Sequence, residues 1–281
     1  MKVVFSKECL EYDLPGHPES SERVRGTYEF LRKYKAFEFA KPEECERRDL
    51  LLVHSKEMID SIKHGNFVNF ETPPVKNIYH YAKLSAGGSL LSMDLALEEG
   101  NSFSLMRPPG HHASRNRFEG FCYFNNLAIA VAKALKRVKR VGILDIDCHH
   151  GNGTQDIFLG NPRVVYASIH QYGFIYPGTG KHSEQNCHNY PLESGTGEGE
   201  YLDKLEIGLY KISKFRPDLL AVSAGFDTYE RDPLANLKLE IGTYAKISKM
   251  ISELGIPRFA VLEGGYSKAL PECVHSFLKN F

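Results

Sequence analysis

A chain of 281 residues can bury a full core, as one large α/β domain or two small ones. Lys+Arg and Asp+Glu balance at 35 each, which excludes a global field that would gather nucleic acid or anionic membrane. Six scattered cysteines without a C-x-x-C pair exclude a disulfide framework or a thiolate zinc knuckle, and they suit a reducing compartment.

The opening Met1-Lys2-Val3-Val4-Phe5 turns polar before a signal-like apolar region develops, and no later run approaches membrane-span length. The expectation is a soluble cytoplasmic protein with no membrane or nucleic-acid partner. Residues 2–5 form a short strand. Ser20 and Ser21 can cap a helix running to about residue 34, with Glu22 in its first turn and Val24, Tyr28 and Leu31 as its buried stripe. Ser55 caps a shorter helix that Gly65 ends, and the segment 67–75, with Pro73-Pro74, reads as a surface loop. A long helix covers 78–99 and closes at Gly100. Gly87-Gly88 inside it cost about 1 kcal/mol each relative to alanine, so another element is expected to pack close against them.

A strand over 103–106, a loop over 107–125 and a helix over 126–136 come next. The run 141–147 is a strand, 154–159 a helical turn and 164–170 another strand. Residues 171–199, rich in Gly, Pro, Tyr and His, read as a long loop of functional type. A helix over 200–214, a strand over 218–223, a helix near 240–254, a strand over 258–262 and a helix from about 268 complete the order. This alternation predicts one domain, 1–281, of the α/β class: an open parallel sheet flanked by helices on both faces. Such sheets bind ligands at the carboxyl ends of their strands. The loops after Met106, Asp147, His170, Ser223 and Leu262 should therefore converge.

The densest chemistry lies at Asp145-Ile146-Asp147-Cys148-His149-His150-Gly151-Asn152. With a strand repeat of two, Asp145, Asp147 and His149 can point to one side while the backbone stays extended. Carboxylate and imidazole together suit zinc, and a carboxylate at the end of a buried strand needs a cation or hydrogen bonds. A solvated Asp/His turn is the plainer reading of any two of these residues, but their crowding favours a metal site. Seven of the 12 histidines fall between His111 and His188, which concentrates acid–base capacity there. Three other loops are ambiguous alone. His111-His112 can differ in protonation inside a site or sit as a surface pair. Asp227 after Ser223-Ala224-Gly225-Phe226 suits a third ligand or a helix cap. Tyr266 after Gly264-Gly265 can reach over a reacting carbonyl or end a common turn.

Taken in order and spacing, Arg107-Pro108-Pro109-Gly110-His111-His112-Ala113, Gly120-Phe121-Cys122-Tyr123-Phe124-Asn125-Asn126, the 145–155 run, Ser223–Asp227 and Gly264-Gly265-Tyr266 resemble the histone deacetylase superfamily. These zinc amidohydrolases include acetylpolyamine deacetylases. The likeness runs from His17-Pro18-Glu19 and Arg23 to Tyr266, and His149-His150-Gly151-Asn152-Gly153-Thr154-Gln155 is similar to the class II branch.

The resemblance implies a catalytic zinc on Asp147, His149 and Asp227, with an open fourth position. It makes His112 the general base, bonded to Asn152 where other branches carry Asp. His111 becomes its protonated partner held by Asp145, and Tyr266 the oxyanion donor. Gly120, Phe121 and Tyr176 (where relatives usually carry Phe) would wall an acyl-lysine tunnel, although core packing explains Tyr176 equally well. Glu71 falls near the rim carboxylate of relatives. A potassium site is allowed on backbone oxygens of Asp145, Asp147 and His149, the Ser168 side chain and the Ile169 carbonyl.

The implied reaction is zinc-dependent removal of acetyl or other acyl groups from N-acylated amines. Polyamine-specific relatives can carry Glu after the Asp-Pro that follows the third ligand; here Asp232-Pro233 is followed by Leu234, which leans toward acyl-lysine in a peptide or protein. Small N-acetylated amines, or a silent acyl-lysine-binding protein, remain open. An arginase-like two-manganese reading fails because Gly151 and Tyr229 occupy positions where it needs further carboxylates.

Overall fold

Side-chain alternation along the central strands decides the architecture. In β4 (Val141–Asp145) the neighbours Ile143 and Leu144 belong to two different buried clusters, and in β7 (Leu219–Ala224) Leu219 and Ala221 join one cluster while Leu220 and Val222 join the other. A strand apolar on both sides needs cover on both faces, which only helices returning after each strand supply.

The computed structural model describes residues 1–281. Four more strands flank this centre on one side: β1 (Lys2–Val4), β2 (Glu38–Ala40), β3 (Asn101–Ser104) and, beside β7, β8 (Arg258–Leu262). On the other side lie β5 (Val164–Gln171) and β6 (Cys187–Leu192). The eight strands run in the order β2-β1-β3-β8-β7-β4-β5-β6, and every pairing is parallel. This is the expected parallel α/β sheet. One cluster lies under α1 (Ser21–Leu31), α7 (Glu198–Phe215), α8 (Ile241–Ser252) and α9 (Leu270–Leu278). The opposite cluster lies under α3 (Lys56–His64), α4 (Ile78–Glu99) and α5 (Asn126–Ala134), with the short α2 (Arg47–Leu50) and α6 (Asn152–Phe158) at its margin.

Local signals placed most helix ends. Ser55 accepts from the Met58 N–H, and Gly65 closes α3 at φ 65°. Asn125 caps α5 by accepting from Ala128 N–H. At α1 the cap differs: Ser20 makes no side-chain capping bond, and the Ser21 hydroxyl bonds Asp13 instead. The expected strand 141–147 ends at Asp145, because Asp145 turns its carboxylate into a hydrogen-bonded cluster and the chain bends beyond it. The segment 171–199 is not all loop, for β6 adds to the sheet edge within it. Pro191 is tolerated there because an edge strand leaves one side of its backbone unpaired.

Gly87 and Gly88 meet the close neighbour that their cost implied. A Cβ on Gly87 would overlap the Glu43 carbonyl, and one on Gly88 would lie 2.6 Å from Met106 Cγ. An exposed helical glycine gains about 1 kcal/mol on replacement by alanine; Gly87→Ala should instead destabilise by about 1–3 kcal/mol through overpacking against backbone. Thermal denaturation showing an unchanged or higher melting temperature would mean that the 41–45 segment yields freely.

Candidate active site

The site is assembled from the carboxyl ends of the four central strands. The loop after β3 brings His111 and His112, the bend after β4 brings Asp147 and His149, the turn after β7 brings Asp227, and the turn after β8 brings Gly264 and Tyr266. The fifth loop contributes differently from expectation. His170 stays with β5, its Nδ1 bonded to the Ser168 hydroxyl at 2.8 Å and its Nε2 to the Gly180 carbonyl at 3.2 Å. That loop supplies Phe174, Ile175 and Tyr176 as wall instead.

At the floor, Asp147, His149 and Asp227 each offer a ligand atom within 4.8 Å of the others. His149 Nδ1 lies 3.2 Å from Asp147 Oδ1 and 2.9 Å from Asp227 Oδ2. Backbone N–H groups fix the carboxylates: Gly264 donates to Asp147 Oδ2 at 2.8 Å, His149 to Asp147 Oδ1 at 2.9 Å and Cys148 to Asp227 Oδ1 at 2.8 Å. The approach is so close that a Cβ on Gly225 or Gly264 would overlap these oxygens. Burial and then the neighbouring Asp147 push the Asp227 carboxyl up to about 7. Two buried carboxylates facing one imidazole, with no Lys or Arg bonded to either, fit a divalent cation of zinc type.

Above this floor the two adjacent histidines occupy different fields. Burial alone would pull the His111 imidazole down, but Asp147, Asp145 and Glu263 outweigh it and push it up to about 10. Its Nδ1 sits 3.2 Å from Asp145 Oδ2, an oxygen that also accepts from the Tyr166 hydroxyl. For His112, burial and the charges of His111 and His149 act together and hold the ring well below its ordinary value. His112 is thus the neutral member, with Nδ1 2.7 Å from Asn152 Oδ1.

A cavity of about 320 Å³ opens over these groups, lined among others by His112, Gly120, Phe121, Tyr176, Leu234 and Tyr266, with Glu71 at its margin. Tyr176 meets His112 edge-on at 4.9 Å, and Phe121 meets Tyr266 edge-on at 5.9 Å. Phe121 sits at φ 68° in a tight turn and donates its N–H to the Thr72 hydroxyl. Leu234 is exposed at the mouth, its N–H bonded to Asp232 Oδ1, and Glu71 is exposed with its carbonyl beside His17 Nε2. The structure therefore gathers His111, His112, Asp147, His149, Gly120, Phe121, Tyr176, Leu234, Glu71 and Tyr266 around one cavity; Asp145, Asn152 and Asp227 stand directly behind it. Ser168 lies opposite Asp145 in the β4–β5 ladder, and Ile169 follows it.

The supporting contacts around the site escaped the sequence reading, even where the residues themselves were named. Glu263 is fully buried and accepts from the N–H groups of Gly110 and His111 and from the Ser223 hydroxyl, tying the β3, β7 and β8 loops together. A lone acid at the end of the apolar run 258–262 was its available signal. Arg23 reaches the Glu263 and Gly265 carbonyls at 2.6 Å each, and Glu19 bonds both Arg23 and the buried Arg107. Asp232 Oδ2 accepts the Tyr266 N–H at 2.6 Å. Glu119 accepts from Asn152 Nδ2 at 2.7 Å.

Residues 17–281 match the histone deacetylase domain, so the chain belongs to that family. Among relatives, a probable deacetylase of Methanothermobacter thermautotrophicus is 40% identical over 95% of this chain and 86% of its own length. Acetylpolyamine amidohydrolase 1 of Pseudomonas aeruginosa is 40% identical over 59% of this chain and 51% of its own. The crystal structure of the HDA15 HD domain superimposes with a TM-score of 0.92 at 30% identity, covering 99% of this chain and 86% of that one. The architecture is accordingly the arginase/deacetylase type, and the chain is a hydrolase of the deacetylase and amidohydrolase family acting on N-acyl amines.

Proposed function

We propose that this protein is a zinc-dependent deacylase whose preferred substrate is an acyl-lysine side chain. The observation that carries the reading is the stacking of one metal-type donor set, one neutral histidine and one tyrosine at the floor of a single apolar-walled cavity. Asp147, His149 and Asp227 would hold the zinc, which when bound would supply Lewis-acid polarisation of the scissile carbonyl and of the attacking water. His112, neutral and bonded through Nδ1, takes the water proton on Nε2. Tyr266 donates to the carbonyl oxygen as it gains charge. His111, kept protonated by Asp147, Asp145 and Glu263, stabilises the developing negative charge, and a histidine returns the proton to the leaving amine. Gly120, Phe121 and Tyr176 hold the methylene stem. Potassium on Asp145, Asp147, His149, Ser168 and Ile169 belongs to the same reading as a structural ion.

The substrate class rests on the mouth. Leu234 offers a second ammonium no partner, which favours a lysine stem over a polyamine. Acetylpolyamine is the second reading, favoured by the Glu71 carboxylate at the same mouth and by the partial likeness to an acetylpolyamine amidohydrolase.

Turnover of acetyl-lysine peptides, longer acyl-lysines and acetylpolyamines by the zinc-loaded protein tests both. Acetyl-lysine peptides should give the highest kcat/KM, and Leu234→Glu should shift the ratio toward acetylspermidine. A partly desolvated ion pair exceeds the roughly 0–1 kcal/mol of an exposed one, so a shift of several-fold is expected. A wild type that already prefers acetylpolyamines, or a ratio that Leu234→Glu leaves alone, removes the support for acyl-lysine. No turnover of any of them, with zinc bound, leaves the silent binding protein.

A further inference from the structure

Within that functional reading, we propose that Glu119 is a positioning residue that sets the tautomer of His112 through the side-chain amide of Asn152. His112 can act as a base on Nε2 only if its other nitrogen, Nδ1, carries the proton. The Nδ1 partner is an amide, and an amide is two-faced: its oxygen would accept from an Nδ1–H, whereas its NH2 would donate to a bare Nδ1 and force the proton onto Nε2. A carboxylate at position 152 would have no such ambiguity, being an acceptor at both oxygens.

Glu119 removes the ambiguity from outside. Its carboxylate only accepts, and it lies 2.7 Å from Asn152 Nδ2. The NH2 of Asn152 is thereby turned to Glu119, its Oδ1 is turned to His112 Nδ1 at 2.7 Å, and the proton is fixed on Nδ1. The arrangement also joins the base to the cavity wall. Glu119 begins the turn that holds Gly120 and Phe121, closed by the Cys122 N–H donating to the Glu119 carbonyl at 3.0 Å. A Cβ on Gly120 would overlap the His112 ring, so that turn already packs on the imidazole.

The acceptor role and a merely structural clamp predict different genetics. Glu119→Ala frees the Asn152 amide to turn over, so kcat should fall at least about 10-fold with KM little changed. A wholly wrong tautomer costs a triad histidine about 10⁴-fold, which bounds the effect. Glu119→Gln keeps the side chain's size and can still offer an oxygen to Nδ2, but its amide can also turn and donate, so kcat should fall between wild type and Glu119→Ala. Asn152→Asp in the wild-type background sets two carboxylates against each other and should lower kcat, yet in the Glu119→Ala background the same substitution should raise it. Such a reversal of sign reports direct coupling between the pair, and a lost clamp would not be restored by it.

Nitrogen NMR of the 15N-histidine-labelled, zinc-loaded protein reads the tautomer without any turnover. His112 should be protonated on Nδ1 in the wild type and shifted toward Nε2–H in Glu119→Ala, with Glu119→Gln between the two. An unchanged His112 tautomer in Glu119→Ala overturns the proposal, as does an Asn152→Asp change that hurts equally in both backgrounds. If no N-acylated amine is hydrolysed, the functional reading falls while the NMR result still decides the role of Glu119.

Discussion

Asp227→Asn should strip zinc from the protein, yet leave the metal-free form more stable than metal-free wild type at neutral and alkaline pH. The side chain is fully buried, accepts from the Cys148 N–H and faces His149 Nδ1 at 2.9 Å. Asparagine keeps that shape and an acceptor oxygen but removes the charge. Loss of an outer partner of a metal ligand costs 10–100-fold in affinity, so loss of a ligand itself should exceed about 100-fold, and turnover should vanish with it.

The stability effect has the opposite sign. Burial and Asp147 raise the folded pKa of Asp227 to about 7, above the unfolded value of roughly 3.9. Between those values the native state binds the extra proton, so this group makes stability fall as pH rises from about 4 to 7, and the loss persists above. Asparagine has no such dependence. In EDTA, the melting temperature of the variant should therefore gain on wild type between pH 5 and pH 8, and with zinc present the order should invert. One bound zinc per chain in Asp227→Asn, or a metal-free variant that melts lower at pH 8, would show that Asp227 is held by hydrogen bonding alone and not for a cation.

The long elements were legible because their signals are local. Helix α4 has Gly100 at its end, and β8 is an apolar run with turns on either side. The short β2 and α2 carry three and four residues, too few for any periodicity to develop. The edge strand β6 hides in a Gly- and Pro-rich segment, since only one of its sides is paired and its sequence Cys187-His188-Asn189-Tyr190-Pro191-Leu192 is half polar. Strand β4 read two residues too long because aspartate at its end looks the same whether extended or turning.

The chemistry of the site was legible for a related reason. Histidine, aspartate and tyrosine at successive strand ends must meet in a parallel sheet, so order along the chain implied proximity. What orders those groups did not show. Glu263 bonds Gly110 across 153 residues, Arg23 bonds Gly265 across 242, and Glu119 reaches Asn152 across 33. Contacts of that range have no period and no neighbour in the sequence, and they depend on how the loops close over the sheet.

The second large effect is expected at Tyr266. Its ring is held by contacts that do not involve the hydroxyl: the backbone N–H donates to Asp232 Oδ2 at 2.6 Å, the Arg23 guanidinium lies 4.7 Å from the ring centre, and Phe121 meets it edge-on. Tyr266→Phe should therefore keep the ring in place, with zinc content and melting temperature unchanged. Burial pushes the phenol well above its ordinary value, so in wild type the hydroxyl stays protonated and is a donor at any working pH. Removing one oxyanion donor costs about 10²–10³ in kcat, or about 2.7–4 kcal/mol, because the bond strengthens only as the carbonyl oxygen gains charge. KM for an acetyl-lysine peptide should change far less than kcat, since the ground-state carbonyl asks little of that donor. Arg23→Lys makes the complementary comparison: the hydroxyl remains, but the fork that grips the Glu263 and Gly265 carbonyls is lost, so kcat should fall with a displaced rather than absent donor. A Tyr266→Phe protein with near-normal kcat would mean that the carbonyl is polarised at the floor of the cavity alone, and that the ring of Tyr266 serves as wall.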